Sequence, residues 1–111
     1  MLKFQYYNYQ EFTKFLDKLS NEDVSLILSR LKKLETIDIV TAMSYQMIKK
    51  LESNLYEIRI HLSHGISRSI YFKTVDHNNV IVTTFIKKSQ KTPQSELKKA
   101  RNRRRKYHDP D

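Results

Sequence analysis

The chain has 111 residues, a net charge of +9, no cysteine and a single glycine, and this length predicts one domain spanning residues 1–111. These counts exclude a disulfide framework, a thiolate metal site, a cysteine nucleophile and a glycine-rich phosphate loop. The chain begins without the apolar segment of a signal peptide, and no apolar run approaches the ~20 residues that span a bilayer, so we expect a cytoplasmic protein without a membrane segment.

The first third of the chain predicts a strand followed by two helices. Residues 1–7 are aliphatic and aromatic residues of strand type. Four apolar residues then share one face of an amphipathic helix: Phe12, Phe15, Leu16 and Leu19. The same spacing restarts over residues 24–34, after Ser20, which we expect to cap the second helix, with Asp23 three residues on. Both apolar stripes are predicted to lie in the core.

The middle of the chain predicts an antiparallel meander of three strands. Residues 36–51 are ambiguous, and their apolar residues are compatible with a short helical turn. Over residues 55–62 apolar and charged residues alternate, which predicts a strand with one buried and one polar face. Short turns separate this strand from residues 67–75 and 80–86. The last of these segments is so rich in β-branched residues that we expect it to be covered on both faces.

The charge imbalance of the chain lies in its C-terminal part. Residues 87–106 hold ten Lys and Arg against one acid, Glu96, whereas the remainder is balanced with 11 of each sign. Thr92 as a cap and Pro93 at the first helical position predict a helix that runs to about Tyr107. Because its apolar stripe is thin, most of this helix is expected to face water or a partner. Such a directional field attracts a polyanion such as nucleic acid; a solvated tail is the alternative.

Several segments together resemble a known family of toxins. They are LYEIR at residues 55–59, RSIYF at 68–72, FIKKSQKTP at 85–93, and the end of the basic helix, RRKY, at 104–107. These segments resemble the HigB toxins of the RelE/ParE superfamily, in its phage-derived branch. The resemblance implies an α+β, RelE-like fold with two N-terminal helices packed on a small, mainly antiparallel sheet and a basic C-terminal helix. It also implies the toxin of a type II toxin–antitoxin system, a ribosome-dependent mRNA endoribonuclease that inhibits translation.

The same resemblance implies partners and a chemistry. The partners are the ribosome, its mRNA and a helix-turn-helix antitoxin of the HigA type, in an expected heterotetramer. In such cleavage a ribose 2′-OH attacks the adjacent phosphate, which requires a base, an acid and cations that stabilise the phosphorane. No cofactor or metal is required, and the chain shows no paired His and carboxylate spacing typical of a metal site.

Basic residues of the predicted sheet and of the loop after it are the candidate catalytic groups. Arg68 matches the arginine that contacts the scissile phosphate in RelE-like toxins, and we expect it to face solvent. Arg59 matches the arginine of an E-x-R motif and shares a strand face with Glu57. A surface salt bridge is the alternative for Arg68, and simple pairing with Glu57 the alternative for Arg59. Four further candidates for phosphate binding or proton transfer are Lys87, Lys88, Lys91 and His61.

The basic helix supplies the candidate RNA-binding residues, and we expect it to dock on ribosomal RNA. They are Lys98, Lys99, Arg101, Arg103, Arg104, Arg105, Lys106 and Tyr107. The roles of His64 and His108 stay open, and Tyr71, expected on the opposite face from Arg68, is either a core residue or a stacking platform. Two other functions stay open: gyrase inhibition without catalysis, as by ParE relatives, and simple RNA or DNA binding. A patch that joins Arg59, Arg68 and the lysines would favour the enzyme.

Overall fold

A five-stranded sheet with helices on both faces organises the part of the chain that the computed structural model describes, residues 2–87 and 91–110. The elements in chain order are β1 (Phe4–Tyr6), α1 (Tyr9–Asp17), α2 (Asn21–Leu34), α3 (Ile39–Ser44), β2 (Ile48–Glu52), β3 (Leu55–Leu62), β4 (Gly65–Lys73), β5 (Asn79–Lys87) and α4 (Gln94–His108). The strand order is β1-β5-β4-β3-β2, with β1 parallel to β5 and the other pairs antiparallel. The α+β class is therefore confirmed, with a mixed sheet.

The predicted N-terminal helices form and pack on one face of the sheet. The Asn8 side chain accepts a hydrogen bond from the backbone N–H of Glu11 and caps α1. Ser20 accepts from the backbone N–H of Asp23, as expected, and caps α2. The apolar stripes of both helices pack against β3 residues such as Ile58 and Ile60 in the larger of two core clusters.

Residues 36–51, which the sequence left ambiguous but compatible with a short helical turn, contain a short helix and the start of a strand that was not predicted. α3 ends at Ser44, and Gln46, with φ at 59°, turns the chain in the left-handed region. β2 then begins at Ile48, whose buried side chain lies opposite Ile58 of β3. The expected arrangement of two helices on a three-stranded meander is thus wrong in detail: three helices precede a meander of four strands. β2 lies at the edge of the sheet and carries a register irregularity, so it lacks the alternation that marks a half-buried strand.

The opposite face of the sheet holds the second core cluster under α4. Leu55, Ile70, Phe72, Val80 and Val82 pack there with Ala100 of α4. Because Val80 and Val82 lie in this cluster while their neighbour Ile81 lies in the larger one, the prediction that this segment is covered on both faces is confirmed. Among the described residues, no helix is long and apolar enough to cross a membrane.

The start of α4 differs from the predicted cap. The helix begins at Gln94, Pro93 occupies the N-cap position, and its first turn has no side-chain capping bond. The hydroxyl of Thr92 does not cap the helix because it donates to Glu57 of β3, at 2.5 Å. One turn into the helix, Glu96 accepts a hydrogen bond from Thr83 of β5, at 2.7 Å. Two side-chain bonds therefore fix the start of α4 to the sheet.

Candidate nucleic-acid interface

Alternation and strand register bring the candidate residues of the sheet to one face. Glu57, Arg59 and His61 share the face of β3 on which Leu55 packs under α4. Arg59 lies directly opposite Arg68 of β4. The next row toward the β3–β4 turn places His61 opposite Ile66, and Ile66 opposite Lys87. One end of this face therefore gathers two arginines, a lysine and a histidine.

A fully buried carboxylate organises the two arginines. The side chain of Glu57 is 0% exposed and accepts from Arg59 Nε at 2.9 Å. It also accepts from Arg68 Nη1, with distances of 3.3 Å to Oε1 and 3.5 Å to Oε2. Thr92 donates to its second oxygen. Glu57 therefore binds groups from β3, β4 and the segment that leads into α4, and the cluster of two arginines and one carboxylate keeps a charge of +1.

The expectation that Arg68 faces solvent is wrong. Its side chain is 0% exposed, because β4 is the central strand of the sheet and Glu57 supplies a buried counter-charge. Arg59, nearer the sheet edge, is 16% exposed and lines two shallow cavities. Of the two arginines, Arg59 is therefore the one that a ligand from solvent reaches directly.

The other catalytic candidates lie around this pair with different exposure. His61 is exposed on β3, and Lys87 is half-buried at the last position of β5. Lys91 is exposed beyond that strand, and Lys88 lies outside the described residues. His64 is exposed in the β3–β4 turn. Of the lysines expected at the site, Lys87 is thus the one that the strand pairing places relative to β4, the strand of Arg68.

The structure assigns Tyr71 to the core. Its side chain is 0% exposed within the larger cluster and stacks on Tyr56 with 5.3 Å between ring centroids. Burial raises the pKa of its phenol above the ordinary value. The prediction that Tyr71 faces away from Arg68 is confirmed, and it does not offer a platform for a base from solvent.

Three arginines of α4 point toward the fold, which corrects the expectation that this helix is held only by a thin apolar stripe. Arg101 donates twice to Glu52, at 2.9 and 2.6 Å. Arg103 donates to both oxygens of Glu11, at 2.9 and 2.8 Å, and to the carbonyl of Val82. The carbonyls of the β2–β3 turn accept from Arg104. Guanidinium groups therefore anchor α4 on both sides of its apolar stripe.

The remaining candidates on α4 divide between inward and outward positions. Lys99 approaches Glu11 at 3.4 Å, and Tyr107 packs edge-on against Phe72 with 5.3 Å between centroids. His108 also packs on Phe72. Three cations of the expected RNA-binding set are exposed on the outer side of the helix, a set that we call the outer α4 cations: Lys98, Arg105 and Lys106.

Two groups of this interface were missed or undervalued by sequence reasoning. Thr92 was assigned to the helix cap, although its hydroxyl binds Glu57. Lys49 of β2 lies opposite Glu57 in the strand register, and no sequence pattern indicated it because β2 itself was not predicted. Among the described residues there is no cluster of three His, Asp or Glu that can hold a metal ion.

Comparison with known protein families shows to which family the chain belongs. The description of the matching family is phage-derived protein Gp49-like (DUF891), and the match covers residues 14–105. The chain belongs to this family. Gp49-like proteins are a toxin-like family related to RelE and HigB, and are associated with RelE-like endoribonuclease activity. The match begins within α1, stops in the last turn of α4 and so includes the Glu57 cluster. No curated protein matches the chain.

Proposed function

We propose that this Gp49-like chain is the toxin of a type II toxin–antitoxin system, and that it cleaves mRNA while the mRNA is bound to the ribosome. Its partners in this proposal are the ribosome, the mRNA and a helix-turn-helix antitoxin of the HigA type, in a heterotetramer. The family supports a toxin-like role. The observation that carries the proposal is the Arg59–Arg68 pair, held in register around one buried carboxylate.

The geometry of the cluster suits the stabilisation of a phosphorane. The Arg59 side chain is 16% exposed while its Nε donates to Glu57, so its orientation is fixed before a phosphate arrives. Arg68 lies behind it and adds positive charge from a buried position. In the reaction the 2′-oxygen bonds to phosphorus, the bond from phosphorus to the 5′-oxygen breaks, and the two arginines stabilise the added negative charge.

Proton transfer falls to the other candidate catalytic residues. The base takes the proton of the 2′-OH, and the acid gives one to the leaving 5′-oxygen. His61, one row from Arg59 on the same face, and the amines of Lys87, Lys88 and Lys91 are the candidates. Imidazole is the commonest group for this work, and the side chain of His61 is exposed.

Primer extension on a translated mRNA after induction of the chain tests this proposal. We expect new 5′-ends within the translated region and none when translation is blocked. Arg59→Ala should lower the cleavage rate about a hundredfold, equivalent to ~3 kcal/mol of lost transition-state stabilisation. Lys33→Ala, on an exposed position of α2, is the control and should cleave like the wild type.

A supercoiling assay with DNA gyrase separates the enzyme from the ParE-like alternative. Growth inhibition with intact mRNA and inhibited supercoiling would contradict the ribonuclease proposal. Growth inhibition with neither effect would reduce the chain to a module that only binds RNA or DNA.

A further inference from the structure

Two shallow cavities lie on either side of Arg59, where α3 leads into β2. The larger, of about 380 Å³, is lined by Met43, Gln46, Ile48, Lys49, Lys50 and Arg59. The smaller, of about 220 Å³, lies toward His61 and is also lined by Arg30 and Tyr45. Gln46 and Arg59 line both cavities. The two cavities therefore form one surface that continues past the exposed part of Arg59.

This surface is basic throughout. Five of its residues carry or can carry positive charge, a set that we call the Arg59 surface: Arg30, Lys49, Lys50, Arg59 and His61. Among the described residues that line the two cavities there is no Asp or Glu. Cavities elsewhere on the molecule include Glu11, Glu52 or Glu22 in their lining. The charge of the Arg59 surface therefore fits an extended anion rather than a peptide of mixed charge.

The segment between α3 and β2 adds groups that can contact a base. Tyr45 is 72% exposed at the edge of the smaller cavity. Gln46 has φ at 59°, and backbone bonds from Gln46 to Met43 and from Met47 to Ala42 fix this turn. An aromatic ring and a side-chain amide thus lie at the same surface as Arg59. This combination is typical of sites that bind single-stranded nucleic acid.

We propose that the Arg59 surface is a subsite for single-stranded RNA, which binds a nucleotide next to the phosphate held by Arg59. Tyr45 stacks on its base, the Gln46 amide binds the edge of the base, and Lys49 and Lys50, consecutive residues of β2, bind different neighbouring phosphates. That the phosphate bound by Arg59 is the one that is cleaved rests on the proposed function. RNA binding at the subsite does not require cleavage.

Binding of a fluorescein-labelled hexamer of riboadenylate to the isolated chain, followed by anisotropy, tests the subsite. Tyr45→Ala should weaken binding at least about fivefold because the ring no longer stacks on a base. Tyr9→Ala, which removes an exposed tyrosine of α1, is its control. Gln46→Gly should also weaken binding without strain, because glycine accepts the positive φ. His77→Gly, at a turn residue with φ of 64°, is the matched control.

The salt dependence of the same titration tests the two lysines. Replacing Lys49 and Lys50 by Gln should reduce the slope of log affinity against log salt by about 0.7 for each phosphate that the variant no longer binds. The control replaces Lys32 and Lys33, an exposed pair on α2, in the same way. Hexamer affinities and slopes equal to those of the controls would overturn the subsite.

Cleavage mapping separates this inference from the proposed function. If the hexamer binds as expected and the wild type cuts no mRNA, the proposed function fails and the subsite stands. If the wild type cuts and no subsite variant alters hexamer binding, the subsite fails and the proposed function stands. If Tyr45→Ala binds the hexamer more weakly and also cuts mRNA at different bases than the wild type, the nucleotide at the subsite belongs to mRNA. Weakened binding with the same cut sites shows that the subsite binds RNA without selecting the base.

Discussion

Glu57 is the residue on which the geometry of the arginine pair depends. Its carboxylate is fully buried and binds Arg59, Arg68 and Thr92. Glu57→Ala removes the buried carboxylate that both guanidinium groups bind, and we expect a loss of about 3–5 kcal/mol of unfolding free energy. Urea denaturation measures this loss, with Glu22→Ala on the exposed surface of α2 as the control. A loss as small as that of the control would mean that the cluster does not stabilise the fold.

Arg68 and Arg59 are expected to respond differently to truncation. An Arg68 that faced solvent, as the sequence predicted, would tolerate truncation without loss of stability, but this residue is fully buried beside Glu57. We now expect Arg68→Ala to cost about 3 kcal/mol or more of unfolding free energy, because it removes one partner of a buried pair. Arg59→Ala should cost less, since that side chain is partly exposed. A soluble Arg68→Ala variant with wild-type melting temperature and no toxicity would restore a direct role for Arg68.

The burial of Arg68 shows where sequence reasoning about the site ends. Alternation correctly put Glu57 and Arg59 on one strand face, and Tyr71 on the face opposite Arg68. The exposure of an arginine, however, depends on whether a counter-charge lies beside it in space. For Arg68 that carboxylate comes from another strand, 11 residues away, and its distance depends on strand register. Residue type and alternation do not contain that information.

At the scale of elements, the anchoring of α4 should depend on pH. The Arg103 hydrogen bonds hold the pKa of Glu11 below its ordinary value of 4.5 in the folded protein. The pair therefore stabilises the fold fully above pH 4.5, and this contribution is lost as the pH falls through the lowered pKa. Because the pair is partly exposed, we expect it to contribute about 1 kcal/mol or less. Denaturant unfolding at pH 7 and pH 3 measures the change.

A matched variant isolates this effect from other carboxylates. Glu11→Gln should lower stability at pH 7 and should reduce the difference between the two pH values. Glu22→Gln, on the exposed side of α2, should leave that difference as it is in the wild type. If unfolding free energy changes between pH 7 and pH 3 by the same amount in Glu11→Gln and in the wild type, Arg103 is not anchored through this carboxylate.

The inward and outward cations of α4 should have separable roles. Replacing the outer α4 cations by Gln should weaken sedimentation with ribosomes and flatten its salt dependence, because fewer counterions are released on binding. It should not lower the melting temperature. Arg103→Gln should lower the melting temperature, since this residue binds Glu11 and the carbonyl of Val82. Unchanged ribosome binding by the outer variant would contradict docking of the helix on ribosomal RNA and leave its structural role and the proposed antitoxin contact.

The predictability of each element follows from how local its signal is. α1, α2 and strands β3 to β5 repeat an apolar period over several residues, and their existence was predicted correctly. β2 has five residues, two consecutive exposed lysines and an irregular register, so it carries no period. The length of α4 was predicted from local signals, but its orientation was not. Arg103 binds an acid 92 residues earlier in the chain, and the two side chains meet only after the sheet has formed.

At the scale of the whole molecule, folding redistributes the charge that the sequence concentrates in residues 87–106. Glu11 and Glu52 belong to the balanced remainder of the chain, yet both lie against cations of α4. These two acids offset part of the positive charge of that helix. The rest of the chain, outside residues 87–106, is then left with more cations than acids. The Arg59 surface contributes to this excess. Residues 2–87 and 91–110 therefore present two basic surfaces, the outer α4 cations and the Arg59 surface, where the sequence suggested one.

This distribution predicts how the proposed antitoxin neutralises the chain. An acidic partner surface gains most by covering a concentrated basic one, so we expect the antitoxin to contact the outer α4 cations. Acetylation of surface lysines, read by mass spectrometry on the free chain and on the co-expressed complex, measures this contact. Lys98 and Lys106 should be protected in the complex, whereas Lys32 and Lys33 of α2 should react equally in both. A non-toxic complex in which Lys98 and Lys106 react as in the free chain would show that the antitoxin acts elsewhere; protection of Lys49 and Lys50 would then assign its contact to the Arg59 surface.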